Sequence, residues 1–179
     1  MEIALQKPKN SLDWLRLRKL YVNAFPAQER KPFAIIRRMF REGKTDIWCV
    51  LSEGKFAGMA TTVNGDEVIL IDYFAITENR RGKGLGKTAM ECLLSLYQDR
   101  SVFLEIESPD RPGLDQQSRR KRKEFYLSCG FGDLGVKARV FGVPMELLGI
   151  RCQMDFPGYK AFYRDNYSGW AADQLEEIQ

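Results

Sequence analysis

The stretch Arg80-Arg81-Gly82-Lys83-Gly84-Leu85-Gly86-Lys87-Thr88 decides the fold, because it joins an apolar run over residues 68–76 to a helical pattern over residues 85–97. Glycine permits positive φ and a close approach of a ligand to the backbone. The first turn of a helix adds unpaired N–H groups and a partial positive charge. A plain surface turn would not need so many arginines and lysines. The stretch therefore predicts a loop that binds an anion, most naturally a phosphate.

The spacing of the glycines separates the known phosphate motifs. A Walker A loop needs a glycine at position 81, which is Arg81 in this chain. A dinucleotide fingerprint needs Gly-x-Gly-x-x-Gly, whereas Gly82, Gly84 and Gly86 give Gly-x-Gly-x-Gly. The pattern Arg81-x-x-Gly84-x-Gly86 instead resembles the acetyl-CoA pyrophosphate loop of the GNAT superfamily of N-acetyltransferases, which follows the fourth strand of that fold.

Composition and charge limit the class of protein. A chain of 179 residues with 44% hydrophobic content predicts one domain over residues 1–179 with a real core. The net charge of +4 comes from many charges of both signs, so we expect no nucleic-acid partner. No run approaches the roughly 20 apolar residues of a membrane helix, and the start does not resemble a signal peptide. We therefore expect a cytoplasmic protein with no membrane partner.

The chain contains no histidine, which excludes Ser-His and Cys-His nucleophile systems and imidazole metal ligands. The cysteines Cys49, Cys92, Cys129 and Cys152 include no Cys-x-x-Cys pair, so we expect reduced thiols and no metal. A general acid or base must then be Asp, Glu, Tyr, Lys or Cys.

Helix and strand patterns follow one another in a regular order along the chain. The expected elements are a strand over 2–6; a helix capped by Ser11, with Trp14, Leu17, Tyr21 and Ala24 at helical spacing; a helix from Pro32 to Gly43 that buries Phe33, Ile36 and Phe40; antiparallel strands over 46–52, 55–63 and 67–76; a helix over 85–97 with Leu96 on its apolar face; a strand over 101–107; a helix over 116–129; strands over 136–141 and 145–152; and an amphipathic terminal helix over 159–178 with Phe162, Tyr163, Tyr167 and Trp170.

This order is similar to the GNAT arrangement, and a second motif supports the resemblance. Phe125-Tyr126-Leu127-Ser128-Cys129-Gly130-Phe131 looks like the Phe-Tyr-x-x-x-Gly-Phe segment at the end of the family's fourth helix. The resemblance implies an α/β (α+β) fold with a mixed, mostly antiparallel sheet of about seven strands, flanked by helices and splayed between strands 4 and 5. It also implies an acetyltransferase with acetyl-CoA as cosubstrate and a small-molecule or peptide amine as acceptor.

The resemblance assigns the cofactor to two segments. The backbone amides of the glycine loop would hold the CoA pyrophosphate, and the pantetheine arm would pair with the fourth strand. The implied cofactor-binding residues are Phe74, Ala75, Ile76, Arg81, Gly82, Lys83, Gly84, Leu85, Gly86 and Lys87.

Acetyl transfer to an amine needs a neutral amine, a stabilised oxyanion and a proton for the departing thiolate. Tyr126 matches the family's thiolate-protonating tyrosine, and its reference pKa of about 10 exceeds the value of about 8.5 for a thiol. The alternative for Tyr126 is a core tyrosine with a satisfied hydroxyl. Asp72 and Glu107, polar residues within apolar strands, are candidates for the general base and for contacts to the acceptor. Glu29 is a third candidate, because it lies in the first helix–helix loop, part of the acceptor wall in relatives.

Each of these carboxylates could instead be solvated or salt-bridged, and the base stays open. Carboxylates near the acceptor would suit a cationic amine, such as a polyamine, an aminoglycoside or a lysine-like group.

Other features of the chain leave alternatives open. The basic run from Arg119 to Lys123 is expected to face mostly solvent. Ser118 and Arg119 stand near the place where many GNAT enzymes have an asparagine that contacts the cofactor. Exposed aromatic residues of the terminal helix would suit a homodimer. A non-catalytic acyl-CoA-binding or sensory module is the alternative function, because it would keep the glycine loop without needing Tyr126.

Overall fold

The structure, a computed structural model, describes residues 2–178. Single-turn 3-10 helices lie at Ala27–Glu29 and Glu78–Arg80. The remaining elements are β1 (Ile3–Gln6), α1 (Ser11–Ala24), α2 (Phe33–Arg41), β2 (Thr45–Ser52), β3 (Lys55–Asn64), β4 (Val68–Ile76), α3 (Leu85–Ser95), β5 (Ser101–Glu107), α4 (Gln116–Ser128), β6 (Gly132–Val140), β7 (Val143–Ile150), α5 (Phe156–Asn166), α6 (Gly169–Asp173) and β8 (Leu175–Glu177).

The strands form one sheet in the order β1-β2-β3-β4-β5-β7-β6-β8. The sheet is mostly antiparallel, and β4 and β5 are its parallel pair. The predicted α/β (α+β) class with a mixed sheet is confirmed, with eight strands rather than about seven. The splay between strands 4 and 5 stays a prediction.

The chain groups into two units that are described separately. The first comprises residues up to Asn64 together with Ile71–Gln98, and the second comprises Gly65–Leu70 and the chain from Asp99 onward. The start of β4 therefore belongs to the second unit and its end to the first. The expectation of one domain stays a prediction.

In the first unit, the helices cover two core clusters. Leu17, Tyr21 and Ile36 of α1 and α2 pack with Tyr73 and other residues of the sheet. A separate cluster joins Ile76 at the end of β4 to residues of α3 and of the neighbouring strands. Because neighbouring residues of a strand point to opposite faces, β4 contributes to both clusters. The chain therefore leaves β4 and enters the glycine loop from a buried position.

Gly58 of β3 lies where β4 passes close to it. A Cβ at this position would lie 2.6 Å from the carbonyl oxygen of Ala75 and 2.8 Å from Cδ1 of Ile76. Because a backbone oxygen cannot rotate away, we expect Gly58→Ala to lower the free energy of unfolding by about 2 kcal/mol, measured by urea denaturation. Gly132→Ala is the control, because its nearest neighbour would be 3.9 Å away. Equal losses in both variants would contradict this account of the strand contact.

In the second unit, aromatic rings of α5 pack on β5. The ring of Phe103 lies 6.1 Å from that of Tyr159 and 5.0 Å from that of Phe162. The hydroxyls of Tyr159 and Tyr163 both donate to Oε1 of Glu105, at 2.6 and 2.8 Å. Glu105 thus receives two hydrogen bonds from a helix that packs on its strand.

The predicted terminal helix over 159–178 is wrong, because the tail forms α5, α6 and β8. Asp155 caps α5, and Ser168 caps α6 by accepting a hydrogen bond from the N–H of Ala171 at 3.1 Å. A new helix, α6, begins after Ser168 and interrupts the helical spacing of the aromatic residues. Strand β8 then pairs with β6. Of the four aromatic residues expected on the helix, Trp170 is exposed, whereas Phe162 and Tyr163 are buried. A homodimer stays a prediction.

Some boundaries also differ from the expectations. Asn10 caps α1 in place of Ser11, because its side chain accepts from the N–H of Asp13 at 3.0 Å. Helix α3 ends at Ser95, and Leu96 is exposed. The strands predicted over 136–141 and 145–152 lie at 132–140 and 143–150, and a turn with positive φ at Phe141 and Gly142 joins them.

The second helix differs from its expected burial. It fully buries Ile36 and Met39, while Phe33 and Phe40 are only partly buried.

No helix within residues 2–178 is both long and apolar enough to cross a bilayer. The cytoplasmic location stays a prediction.

Candidate active site

The glycine loop forms an open turn at the start of α3. Gly82 and Gly84 have φ values of 76° and 74°, and a Cβ on either would meet no atom within 4 Å. Gly84 is the N-cap residue of α3, no side chain among residues 2–178 caps this end, and the first turn holds no acidic residue. The loop thus combines backbone that can approach a ligand with the positive end of a helix dipole, which favours an anion.

The side chains of Arg81 and Leu85 connect the loop to the end of β4. Nε of Arg81 donates to the carbonyl oxygen of Ile76 at 3.0 Å, so this guanidinium ties the loop to the end of β4. Leu85 is buried against Ile76 and Ala89, and it can therefore reach a ligand only through its backbone. Lys83 and Lys87 are exposed. The predicted loop residues thus combine a buried anchor with two exposed cations.

The strand segment assigned to the pantetheine arm has a buried and a half-buried part. Ala75 and Ile76 are buried, and Phe74 is partly buried against the α3 cluster. This segment and the glycine loop are separated by residues 77–80, and both belong to the first unit.

Tyr126 lies on the inward side of α4 in the second unit. Its ring packs edge-on with Phe125 and Phe131, at centroid distances of 5.2 and 5.8 Å. Within residues 2–178 no group hydrogen-bonds to its hydroxyl. Burial raises the pKa of Tyr126 to about 12, and the nearby Arg122 charge opposes this rise. The phenol therefore carries its proton at neutral pH and can donate it.

The basic run on α4 divides into outward and inward residues. Arg120, Lys121 and Arg122 are exposed, which confirms that most of the run faces solvent. Arg119 is buried and Lys123 half-buried, four residues apart on the inward face. Their spacing places Arg119 and Lys123 on the same face of α4 as Tyr126.

Lys123 anchors this face of α4 to the sheet. Its Nζ lies 2.8 Å from Asp133 and 2.7 Å from Oε2 of Glu146, a buried carboxylate on β7. The second oxygen of Glu146 accepts from the hydroxyl of Ser108 at 2.8 Å. These contacts connect α4 to β6 and β7 at a position three residues before Tyr126.

Removing the buried charge of this network should destabilise the second unit. We expect Glu146→Gln to lower the free energy of unfolding by about 2 kcal/mol, since Lys123 loses its buried partner. Asp133→Asn is the control, because the Asp133 side chain is half exposed and such pairs contribute about 1 kcal/mol or less. Thermal and urea unfolding measure both. A larger loss from Asp133→Asn would contradict the assignment.

Glu107 is held by two arginines. Its Oε1 accepts from Arg111 at 2.8 Å and lies 3.6 Å from a guanidinium nitrogen of the buried Arg119. Arg119 also donates to the backbone oxygen of Arg111. The predicted candidate is thus an ion-paired carboxylate that orders the loop before α4.

Asp72 is paired with a lysine from outside its strand. Nζ of Lys31 lies 2.7 Å from Oδ1 of Asp72 and 5.4 Å from the ring centroid of Tyr73. Lys31 directly precedes Pro32, the N-cap residue of α2. The carboxylate is accordingly in an ion pair within the first unit.

Two buried tyrosines hold the backbone around Glu29. The Tyr73 hydroxyl donates to the carbonyl oxygen of Glu29 at 2.9 Å, and the N–H of Lys31 donates to Tyr73 at 3.1 Å. The hydroxyl of Tyr21 donates to the carbonyl oxygen of Lys31 at 2.9 Å. Burial raises the pKa of Tyr73 strongly and that of Tyr21 to about 12. Both remain hydrogen-bond donors, and Glu29 lies on a fixed segment.

The predicted site residues fall into two groups. The glycine loop, Phe74–Ile76, Asp72 and Glu29 belong to the first unit, and Tyr126 and Glu107 belong to the second. Among residues 2–178 no three Cys, Asp or Glu side chains lie close enough to hold a metal ion. The roles of these residues stay predictions.

Comparison with known proteins decides the family. The sequence model of the acetyltransferase (GNAT) family matches residues 14–131. The chain belongs to this family. It is therefore an acyl-CoA-dependent acetyltransferase, as the two sequence motifs predicted.

Solved structures share the fold of this GNAT enzyme. A GNAT-family acetyltransferase from Bacteroides thetaiotaomicron is similar with a TM-score of 0.76 and 19% identity, over 96% of this chain and 99% of the other. Spermidine N-acetyltransferase from Vibrio cholerae, in complex with CoA and spermine, has a TM-score of 0.65 and 14% identity, over 83% and 94%. NAA60 from Arabidopsis thaliana, in complex with a bisubstrate analogue, has a TM-score of 0.63 and 15% identity, over 83% and 97%. No curated protein matches the chain.

Sequence reasoning missed the partners of the candidate residues in this GNAT enzyme. Lys31 gave no signal, because a lysine before a proline is ordinary in a surface loop. Glu146 lies in an apolar strand pattern and was a detectable buried carboxylate. Tyr73 lies in an apolar run, where a tyrosine gives no sequence signal for its hydrogen bonds to Glu29 and Lys31.

Proposed function

We propose that this enzyme moves an acetyl group from acetyl-CoA directly to a primary amine. The observation that supports it most is the open, uncapped glycine loop with positive φ at Gly82 and Gly84, in a chain of the GNAT family. Backbone N–H groups from Arg81 to Lys87 would hold the CoA pyrophosphate, and residues 74–76 would pair with the pantetheine arm. Acetyl-CoA would supply the activated thioester.

Tyr126 would act as the general acid. The amine nitrogen would attack the thioester carbonyl and form the carbon–nitrogen bond of a tetrahedral oxyanion. The carbon–sulfur bond would break as this oxyanion collapses, Tyr126 would give its proton to the sulfur, and the tyrosine would regain a proton from solvent. Because its pKa is raised to about 12, Tyr126 is protonated at neutral pH and acts as a positioned hydrogen-bond donor to the developing thiolate.

A carboxylate would take the proton of the amine, directly or through water. Asp72 and Glu107 are the main candidates, with Glu29 as the third. Among residues 2–178, Glu107 has two arginine partners, whereas Asp72 is ion-paired with Lys31. Either carboxylate has to leave its cation before it can accept the proton, so the choice between them stays open.

Direct transfer is favoured over an acetyl-cysteine relay. A relay needs a thiolate, which forms readily when the pKa of a thiol is lowered. Burial instead raises the pKa of Cys49 to about 11 and also raises that of Cys152.

A cationic amine, small molecule or peptide, is the proposed acceptor class. Asp72, Glu107 and Glu29 would attract such an amine, and two of the similar structures hold spermine and a bisubstrate analogue. A transfer assay across monoamines, polyamines, aminoglycosides and peptide amines, corrected for acetyl-CoA hydrolysis, tests the proposal. We expect acetylated product from at least one cationic class. CoA binding with no product from any amine would instead indicate a non-catalytic acyl-CoA-binding module.

A further inference from the structure

We propose that Asp72 and Tyr73 form a binding subsite for a primary alkylammonium group, and that the side chain of Lys31 is its internal occupant. An acceptor that carries a second cationic group would compete with Lys31 for this subsite. The competition with an acceptor rests on the proposed function, whereas the ammonium subsite itself does not.

The geometry combines two chemistries that recognise ammonium groups. Nζ of Lys31 lies 2.7 Å from a carboxylate oxygen of Asp72 and 5.4 Å from the ring centroid of Tyr73. A charge-assisted hydrogen bond and an aromatic face together favour a compact cation. The Asp72 side chain is 9% exposed and that of Lys31 is 23% exposed. The carboxylate is therefore buried, while its cation reaches it from the solvent side.

The backbone of Lys31 is held independently of its side chain. Its N–H donates to the hydroxyl of Tyr73 and its carbonyl oxygen accepts from the hydroxyl of Tyr21. In both hydrogen bonds, the atoms that Lys31 contributes belong to its main chain. The ammonium group can therefore leave Asp72, or be deleted by mutation, while the segment keeps these anchors.

The chemistry of the subsite indicates a diamine or polyamine acceptor. One ammonium group would take the place of Lys31 at Asp72, and another amine of the same molecule would be acetylated. Glu107 or Glu29, and not Asp72, would then take the proton of the acetylated amine. Lys31 would then be a specificity-determining residue, because its charge reduces the advantage of a second cation. An acceptor with a single amine has no group to exchange with Lys31.

Chemical rescue tests the subsite without acetyl-CoA. The Lys31→Ala variant removes the propylammonium portion of the side chain, and n-propylammonium chloride is the probe. We expect the variant to melt below the wild-type protein, and saturating propylammonium to raise its Tm by about 2 to 4 °C relative to n-propanol with sodium chloride at equal ionic strength. The Lys31→Ala/Asp72→Asn variant should not respond. If Lys31→Ala does not fold, Lys31→Ser allows the same measurement.

Rescue that is absent, or equal in the double variant, would overturn the subsite. The specificity step is tested by kcat/KM for a diamine against a monoamine of the same chain length. We expect the ratio to rise about ten-fold in Lys31→Ala, because the diamine then makes one additional charge-assisted hydrogen bond to Asp72. An unchanged ratio would overturn the competition with Lys31. If no amine is acetylated but rescue persists, the proposed function fails and the ammonium subsite stands.

Discussion

Replacing Tyr126 with phenylalanine is expected to lower kcat about a hundred-fold, the usual contribution of a positioned general acid, and to leave the affinity for CoA unchanged. The hydroxyl has no protein partner within residues 2–178, so its loss breaks no internal hydrogen bond. The ring keeps its packing against Phe125 and Phe131. Steady-state kinetics with a responsive amine and titration calorimetry with CoA measure the two quantities.

A second tyrosine of the same unit provides the control. Tyr163 is buried, and its hydroxyl donates to Glu105, so Tyr163→Phe should lower stability by about 1 kcal/mol with little change in kcat. Full activity in Tyr126→Phe, with a lower kcat in Tyr163→Phe, would contradict a catalytic role for Tyr126. Tyr126 would then be a core residue that contributes only packing.

The Gly84→Ala variant is expected to bind CoA at least ten-fold more weakly than the wild-type protein, about 1.4 kcal/mol of binding free energy. Gly84 has φ 74°, and its Cβ would project into the open space above the loop, where the backbone must approach a phosphate. The same substitution costs about 1 kcal/mol of stability, because an alanine is forced into the left-handed region. Titration calorimetry gives the affinity, and urea unfolding gives the stability.

Gly43→Ala is a matched control for this loss. Gly43 has φ 73° and also has open space around its Cβ, but it follows α2 at a different place in the first unit. We expect the two variants to lose similar stability and only Gly84→Ala to lose CoA affinity. Equal CoA binding in both would contradict the placement of the pyrophosphate on this loop.

Local patterns in the sequence predicted most of the fold. The glycine spacing after β4 and the Phe125–Phe131 motif identified the family, because both depend on short-range backbone geometry. The two antiparallel strands over 46–52 and 55–63 were also predicted, and the turn between them has positive φ at Glu53 and Gly54. The tail was mispredicted, because a restart capped by Ser168 breaks the helical spacing of Phe162, Tyr163 and Trp170.

The candidate site was predictable in its residue types but not in its partners. Asp72 and Glu107 could be recognised as carboxylates within apolar strands. Their cations, Lys31 and Arg119, lie 41 and 12 residues away in the sequence, and only the folded chain brings them into contact. Such long-range ion pairs leave no periodic signal in the sequence. The sequence alone therefore could not distinguish an unpaired carboxylate from an ion-paired one.

The most direct test of the central claim follows the acetyl group through one turnover. The enzyme is mixed with acetyl-CoA labelled in the acetyl group and with an amine that responds in the panel, and the reaction is quenched at successive times. We predict that labelled amine and free CoA thiol appear together in equal amounts, with no label on the protein at any time. Label on the protein that later passes to the amine would contradict direct transfer from bound acetyl-CoA.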